Sequence, residues 1–375
     1  MKHVQNKLVA KGPKRILSLD GGGIKGALTL SYLEKIEELL RKRCPVDKQN
    51  DFRLSDYFDM IGGTSTGAII AAGLSIGLKV SELSLIYENY GEKIFKKVKN
   101  MWTRNTEYRF DATVLEEILD TKFTDIKLGD DRIKSWLTIV TKRVDTGSYL
   151  WPVHNSPSAK YYSKNKNIML KELIRASSAA PTYFSSVTID VGEGEMGSFI
   201  DGGVSVSNNP AFQLLLLATL KNYKINWDKG DENLFIVSIG TGTFRYRMLP
   251  EEVANSKKWD WGRQVPTIIM NDASKKVELL MSLLSSDSSS KLYFDSELEQ
   301  IDENPFGNAM FQYLRYDVKL EPQELRGLGF DKYVKDIDSL RLMEEGANVN
   351  KLFEIGRKKA ALISDEDFPA RFDIK

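Results

Sequence analysis

Histidine and cysteine are almost absent from this chain of 375 residues. Cys44 is the only cysteine, and His3 and His154 are the only histidines. One thiol cannot form an internal disulfide or a cysteine-ligated zinc site, which favours a reducing, cytoplasmic location. We expect no metal site and no organic cofactor, and any catalytic mechanism has very little histidine to use.

Long apolar runs and excess charge are also missing. The strongest apolar stretches, 68–78 and 212–220, are too short to cross a bilayer, and the basic first residues lack the apolar core of a secretory signal. With 53 Lys and Arg against 52 Asp and Glu, the formal net charge is +1. We therefore expect neither DNA nor RNA as a partner, and any attraction to a membrane surface must come from local patches.

Short apolar segments alternate with helical patterns along most of the chain. The strand-like segments are 16–19, 57–61, 135–141, 198–200 and 233–239, and the clearest helical patterns cover 28–40 and 68–78. Alternation of this kind predicts βαβ units. The sequence therefore predicts an α/β fold with a mainly parallel sheet flanked by helices.

Three regions of unequal size are predicted. No repeat or low-complexity linker divides residues 14–320, which favours one domain over this range. Residues 1–13 are basic and end at a Gly-Pro pair, which favours a flexible N-terminal tail. Residues 321–375 have weaker apolar periodicity and a charged end, and we predict a C-terminal helical appendage there.

A candidate nucleophile lies in the segment 63–67, GTSTG, which fits the pattern G-x-S-x-G. A nucleophilic serine must project its hydroxyl from a sharp strand-to-helix turn, and small flanking residues let that turn close. Ser65 has an apolar run before it and a helix of small residues after it, as this geometry requires. The alternative is an ordinary glycine turn in which Ser65 only caps the helix.

The general base for such a serine cannot easily be a histidine. No histidine follows His154, which lies in a loop-like segment and is expected at the surface. A desolvated carboxylate within hydrogen-bond reach can accept the proton instead. Asp201 is the best candidate, because it follows a short strand and precedes two glycines that let the backbone turn sharply. An ordinary Asp-Gly-Gly turn is the alternative.

A glycine-rich loop, DGGGIKG at 20–26, follows the first strand and opens the first helix. Its exposed backbone N–H groups can bind an anion, such as the oxygen of a tetrahedral intermediate.

The same loop also fits the dinucleotide pattern G-x-G-x-x-G through Gly21, Gly23 and Gly26. That fold needs an acidic residue at the end of the second strand, whereas Glu37 and Glu38 lie within the predicted helix. We favour a hydrolase, and a nucleotide-binding or interaction protein without hydrolase activity is the alternative.

Together these motifs resemble the patatin-like phospholipases. DGGGIKG, GTSTG and DGG occur in the family's order, and the similarity continues through RASSAAPTYF (175–184), VSIGTGT (237–243) and YLR (313–315). The resemblance implies a three-layer α/β architecture related to the α/β-hydrolases and a lipid acyl hydrolase of the phospholipase A type. Its substrates are membrane phospholipids or galactolipids, hydrolysed by a cytoplasmic enzyme that acts peripherally at the membrane.

The same resemblance assigns roles to individual residues. Ser65 would be the nucleophile and Asp201 the proton acceptor, with the N–H groups of Gly22, Gly23 and Ile24 as the oxyanion hole. The residues that support these motifs are Gly21, Lys25, Gly26, Gly63, Gly67 and Gly202. Family members often carry arginine at the position of Lys25. Lysine keeps the charge but loses the bidentate fork, so the head-group preference can differ.

Two further segments suggest partners. The segment 83–102 places apolar residues at helical spacing among several lysines, which fits either a membrane-surface helix or a helix docked on the core. The resemblance includes bacterial antiviral effectors that cyclic oligonucleotides activate, and one segment here is compatible with such a ligand. A homo-oligomer is a further option. The cations and aromatic residues that would bind the nucleotide are Arg245, Arg247, Lys257, Lys258, Trp259, Trp261 and Arg263. An exposed loop followed by a helix from Pro266 is the alternative.

Overall fold

The structure, a computed structural model, describes residues 2–96, 109–148, 150–288, 297 and 305–374. Its strands are β1 (Lys14–Leu19), β2 (Met60–Thr64), β3 (Trp136–Arg143), β4 (Trp151–His154), β5 (Val187–Asp190), β6 (Met196–Asp201), β7 (Leu234–Ile239), β8 (Ser285–Ser288) and β9 (Phe311–Tyr316). Its helices are α1 (Lys2–Val9), α2 (Gly26–Lys42), α3 (Leu54–Tyr57), α4 (Thr66–Ser75), α5 (Val80–Ile94), α6 (Thr113–Phe123), α7 (Tyr162–Asn165), α8 (Leu170–Ser177), α9 (Ala211–Thr219), α10 (Pro250–Asn255), α11 (Lys258–Leu284), α12 (Pro322–Gly327), α13 (Ile337–Arg341) and α14 (Val349–Ala360).

All of these strands form one sheet in the order β5-β6-β3-β2-β1-β7-β9-β8, with β4 paired to β3 beside β6. The pairs from β3 through β2, β1, β7 and β9 to β8 are parallel, whereas β4 and β6 run antiparallel to β3. The register pairs Leu19 with Gly63 and with Ile239. The carboxyl ends of these central strands therefore meet at one edge of the sheet.

Side chains of the central strands alternate between two cores. In β1, Leu17 and Leu19 belong to a core shared with α2, α4, α5 and α14, whereas Ile16 belongs to a second core shared with α1, α9 and α11. Strands buried on both faces read as continuous apolar runs, which explains why the sequence showed no polar alternation there. The predicted α/β fold with helices on both faces of a mainly parallel sheet is confirmed.

The N-terminal residues differ from the predicted tail. Residues 2–9 form helix α1, with Val4 and Leu8 buried in the second core. Lys7 donates hydrogen bonds to the carbonyls of Ser55 and, at 2.8 Å, Phe58. Two apolar residues four positions apart supply one helical face, and the basic composition of the segment concealed this pattern.

The C-terminal residues are helical, as predicted, but they share the main core. Leu352 and Phe353 of α14 are buried in the same core as α2, and Ser31 of α2 donates to the Phe353 carbonyl at 3.4 Å. The segment is therefore packed onto the domain and does not form a separate body.

Helix α5 is docked on the core, which is one of the two alternatives for the segment 83–102. Leu83, Ile86 and Tyr87 are buried, and Ile94 packs against the same core. The remainder of this segment, with Lys97 and Lys99, lies outside the described residues. No helix in the described ranges is long and apolar enough to cross a membrane.

Candidate functional site

The candidate residues come together at the edge of the sheet where the central parallel strands end. The glycine loop follows β1, Ser65 follows β2, and the segment 240–243 follows β7. Asp201 ends the antiparallel strand β6, but its pairing with Thr141 near the end of β3 brings it to the same edge. Ligand sites of open α/β sheets lie outside the carboxyl ends of the strands, at points where the strand order reverses.

Ser65 is the single residue between strand β2 and helix α4. Its backbone has φ 55° and ψ −122°, a left-handed conformation that is strained for a residue with a side chain. A Cβ on Gly63 would overlap the backbone of Gly67, and one on Gly67 would overlap the carbonyl of Leu19. The two motif glycines therefore let the turn close tightly, and the amino-terminal end of α4 lies behind the serine, where the helix dipole favours negative charge.

The Asp201 carboxyl is buried beside Ser65. Burial raises its pKa to about 6, while hydrogen bonds from the Ser65 side chain and the Gly203 backbone N–H act in the opposite direction. The Gly203 N–H donates to Asp201 Oδ1 at 2.7 Å. Gly202 has no room for a side chain, because a Cβ there would lie 2.6 Å from the Val140 carbonyl oxygen. The two residues predicted from separate motifs are thus neighbours, and burial makes the Asp201 carboxyl more basic than an exposed aspartate.

A short segment at the end of α8 holds both of these residues. The Ser177 hydroxyl accepts a hydrogen bond from the Ser65 N–H at 2.8 Å and donates to the Val140 carbonyl at 2.6 Å. Two residues later, the Ala179 carbonyl accepts the N–H of Asp201 at 3.0 Å. In the sequence, Ser177 belongs to the segment 175–184 that contributes to the family resemblance, where it was assigned no role in the chemistry. Its hydrogen bonds to the serine turn depend on how α8 packs on the sheet, and no sequence pattern signals them.

The glycine loop presents two of its three predicted donors. Within the described part of the chain, the N–H groups of Gly22 and Gly23 have no hydrogen-bond acceptor. The Ile24 N–H, in contrast, donates to the Met343 carbonyl at 2.9 Å. The prediction of Ile24 as a third donor is therefore wrong for this conformation, because a residue far along the chain already occupies that amide.

The loop packs closely on its neighbours. The Gly21 N–H donates to the Asn208 carbonyl at 3.0 Å, and a Cβ on Gly21 would lie 3.2 Å from the Ser65 Cβ. A side chain on Gly22 would overlap Thr241, and one on Gly26 would lie 2.7 Å from Thr66 Oγ1. These glycines allow the loop to lie directly against the serine turn.

A buried ion cluster supports the loop from behind. Arg315 forms a bidentate pair with Asp20, the residue before Gly21, with N–O distances of 3.0 and 2.7 Å. The same guanidinium bonds Glu278 of α11 at 3.1 Å and Asp317 at 3.0 Å. Burial lowers the pKa of Arg315, but the three carboxylates outweigh it and hold that pKa above its ordinary value. The resemblance included Arg315 without a role, and its partners, which lie far apart in the sequence, show that it anchors the loop.

A cleft of about 630 Å³ opens beside the glycine loop. Its walls include Gly21, Lys25, Asn208 and the segments 241–248 and 341–344, but Ser65 and Asp201 are not among the lining residues. The Lys25 amine is buried there and donates to the Gly242 carbonyl at 3.3 Å. Burial lowers the pKa of Lys25 to about 8, partly opposed by nearby carboxylates, so this amine is mostly charged at neutral pH.

The residues proposed for nucleotide binding fall into separate groups. Arg245 and Arg247 line the cleft, as do Phe244 and Tyr246. Trp261 and Lys257 are exposed and do not line it. The side chains of Lys258, Trp259 and Arg263 lie outside the described residues. Helix α11 also begins at Lys258, not near Pro266 as the sequence suggested.

The other candidate groups have structural partners. His154 lies in strand β4 and is buried, not at the surface as expected, and its Nδ1 accepts the Trp136 Nε1–H at 3.3 Å. Burial lowers the pKa of His154 to about 4, so the ring stays neutral. Glu37 accepts the Val80 N–H at 3.4 Å, and Glu38 pairs with Lys42 at 2.5 Å. Both glutamates belong to α2, which leaves no acid at the end of β2 for a ribose.

Comparisons with known proteins identify the family of this chain. The family model described as patatin-like phospholipase matches residues 17–215, more than half of the chain. A cGAMP-activated phospholipase of Escherichia coli (strain TW11681) is 29% identical over 300 residues, which cover 76% of this chain and 81% of that protein. A protein of the same description from Vibrio cholerae serotype O1 is 28% identical, with coverages of 74% and 79%. Patatin-16 of Solanum tuberosum is 27% identical, with coverages of 77% and 76%. The chain therefore belongs to the patatin-like phospholipase family and is a lipid acyl hydrolase.

Proposed function

We propose that this hydrolase is a phospholipase A-type enzyme that cleaves membrane phospholipid esters with a Ser65–Asp201 dyad. One observation carries the proposal: the buried Asp201 carboxyl, its pKa raised to about 6, interacts with the hydroxyl of a serine held on a strained strand-to-helix turn. Galactolipids have the same ester linkage, and a comparison of the two lipid classes would define the head-group preference.

The reaction has two stages in which the same carboxylate moves the proton. Asp201 accepts the hydroxyl proton while Ser65 Oγ attacks the ester carbonyl carbon, and the resulting tetrahedral intermediate expels the lysolipid alkoxide, which takes the proton back. A water molecule then attacks the acyl-serine by the same route and releases the fatty acid. The backbone N–H groups of Gly22 and Gly23 bind the negative oxygen in both stages.

A fluorophosphonate probe with liposome assays tests this proposal. The purified protein should release free fatty acid and lysolipid from phospholipid liposomes, and the probe should label one residue, Ser65, as identified by peptide mass spectrometry. Ser205 also carries a hydroxyl near Asp201 in the chain, donating to the Gly202 carbonyl at 2.6 Å, and Ser205→Ala is the matched control that should keep labelling. Labelling at another residue, with hydrolysis unchanged in Ser65→Ala, would contradict the dyad.

Activity should depend on pH through Asp201. Only the deprotonated carboxylate accepts the serine proton, so kcat/KM should rise with pH and level off above an apparent pKa of about 6. A short-chain soluble ester is the appropriate substrate for this measurement, because vesicle binding has its own pH dependence. An acid limb near 4, the ordinary range of an exposed aspartate, would contradict the buried environment of the base.

We further propose that a cyclic dinucleotide activates the enzyme by binding in the cleft beside the glycine loop. Two of the relatives are described as cGAMP-activated phospholipases. The cleft volume of about 630 Å³ lies in the range of small-ligand sites. Its wall offers guanidinium groups for phosphates and the rings of Phe244 and Tyr246 for bases. A ligand there would touch the residues next to the oxyanion donors.

Calorimetry with cGAMP and hydrolysis assays with and without it would test the activator. Arg247→Ala should weaken binding and stimulation together, whereas Arg326→Ala, the removal of an exposed arginine on α12, should change neither. Absence of both heat and stimulation in the wild type would contradict activation by this nucleotide and leave the hydrolase proposal standing.

A further inference from the structure

Among the described side chains in the first half of helix α11, three exposed ones are apolar and share one side of the helix. Trp261, Val265 and Ile269 are 36%, 40% and 52% exposed, and their spacing of four residues places them on one side of the helix. One turn further on, the exposed positions become the charged residues Asp272 and Lys276. A helix on the surface of a globular protein normally presents polar residues to water, so the first half has the character of a contact surface.

The preceding helix also carries exposed apolar residues. Leu249, at the start of α10, and Val253, one turn later, are also exposed. We call Leu249, Val253, Trp261, Val265 and Ile269 the α10–α11 apolar face. No more than two residues separate the end of α10 from the start of α11.

In the sequence, cations and a tryptophan accompany this face. The segment 257–263, where α11 begins, contains three Lys or Arg against one Asp, and it includes Trp261. Tyr and Trp prefer the boundary between lipid and water, and basic residues are attracted to anionic head groups. The combination of apolar side chains, aromatic rings and positive charge is typical of helices that lie in a membrane interface.

The inward face of α11 contacts the candidate site. Ser274 accepts a hydrogen bond from the Asn208 side chain at 3.3 Å, and Met270 packs near Gly203, where its Cε lies 3.5 Å from the position of a Cβ. Met270 and Ser274 also line the cleft. A surface that rests on the outward side of this helix would therefore lie next to the loops that carry Asp201 and the glycine loop.

We propose that the α10–α11 apolar face docks the enzyme on an anionic phospholipid bilayer. This inference rests on the proposed function, since the docked bilayer is also the source of substrate. It assigns membrane contact to α10 and α11 instead of α5, whose apolar side is already packed on the core. Docking concentrates the enzyme at the lipid surface without any part in the ester chemistry.

Sedimentation with vesicles tests the docking face independently of catalysis. Val265→Asp/Ile269→Asp should lower binding to phosphatidylcholine–phosphatidylglycerol vesicles by about tenfold or more, because two exposed aliphatic side chains that would enter the lipid interface are replaced by carboxylates. Wild-type binding should also weaken in high salt and on pure phosphatidylcholine. The matched control is Val46→Asp/Leu362→Asp, which changes two apolar side chains that are 82% and 70% exposed elsewhere on the surface and should bind normally.

Activity measurements separate this proposal from the proposed function. The α11 variant should lose hydrolysis of liposomes in proportion to its binding while keeping full activity on a soluble short-chain ester. Equal vesicle binding by the variant and the wild type would overturn the docking proposal. Light scattering that shows a dimeric wild type and a monomeric variant, with unchanged vesicle binding, would overturn it as well. Wild-type protein that binds vesicles but hydrolyses neither substrate would overturn the proposed function alone.

Discussion

Asp201→Asn should lower kcat for ester hydrolysis by at least about 10³-fold, as losses of the base in other serine hydrolases do. The amide has nearly the same shape, and its oxygen can still accept the Gly203 N–H that bonds Asp201 Oδ1 at 2.7 Å. What it lacks is the ability to take the proton of Ser65. Ser65→Ala should have a similar effect, and the double variant should be no worse than either single change, because the two groups act as a unit.

The fold should survive both substitutions. Burial disfavours the charged form of Asp201 and raises its pKa to about 6, so a neutral amide should leave the protein at least as stable at pH 7.5. Thermal unfolding would check this expectation. Asp190→Asn is the matched control: Asp190 also ends a strand and accepts the N–H two residues on, from Gly192 at 2.8 Å, but it is exposed. Full activity in Asp201→Asn would exclude this carboxylate as the base.

Arg315→Met should destabilise the protein by about 3–5 kcal/mol at neutral pH, the usual result of removing one partner from a buried ion network. Arg315 bonds Asp20, Glu278 and Asp317, and its side chain is almost fully buried. Methionine fills much of the space but leaves Asp20 and Asp317 without the guanidinium, while Glu278 retains only its pair with Lys275 at 2.6 Å. The residual activity should also fall, because Asp20 directly precedes the glycine loop.

The pH dependence of this destabilisation has a definite sign. Without the guanidinium, burial should hold the pKa values of the three carboxyls above those of the unfolded chain, so their neutral forms are favoured in the folded protein. The loss of unfolding free energy caused by Arg315→Met is then largest at high pH, and it declines as the pH falls through the raised pKa values. Urea unfolding at pH 7.5 and pH 5 would measure it, with Arg371→Met, at a half-exposed ion pair with Glu232, as the control. A destabilisation by Arg315→Met that is larger at pH 5 than at pH 7.5 would contradict this account.

Local patterns were sufficient to predict the elements that carry the chemistry. The GTSTG motif between an apolar run and a small-residue helix predicted a turn at Ser65, and the structure has a strained turn there. Strand β2, however, runs from Met60 to Thr64 and therefore includes Gly63, the first glycine of the motif, as well as Gly62 before it. Gly62 belongs to the strand because its missing side chain makes room for Leu214 of α9, a contact that local sequence does not reveal.

The parts that the sequence did not predict depend on contacts between distant residues. The Met343 carbonyl accepts a hydrogen bond from the Ile24 N–H, and the Ser177 hydroxyl accepts one from the Ser65 N–H at 2.8 Å. Neither acceptor has a sequence signature, because each is positioned by the packing of whole helices on the sheet. Helix α1 was not predicted for a similar reason, because its short apolar face stabilises the helix only when it packs against the second core.

The supports of the glycine loop also determine when the enzyme can become active during its synthesis. Ser65 and Asp201 are synthesised before Arg315 and Met343, which follow Asp201 by more than a hundred residues. Arg315 bonds Asp20, and the Met343 carbonyl accepts the Ile24 N–H. A nascent chain therefore carries the proposed dyad before the glycine loop has its supports. Since chains are made from the amino terminus onward, lipid cleavage should begin only once residues 315–343 have been made and have folded onto the sheet.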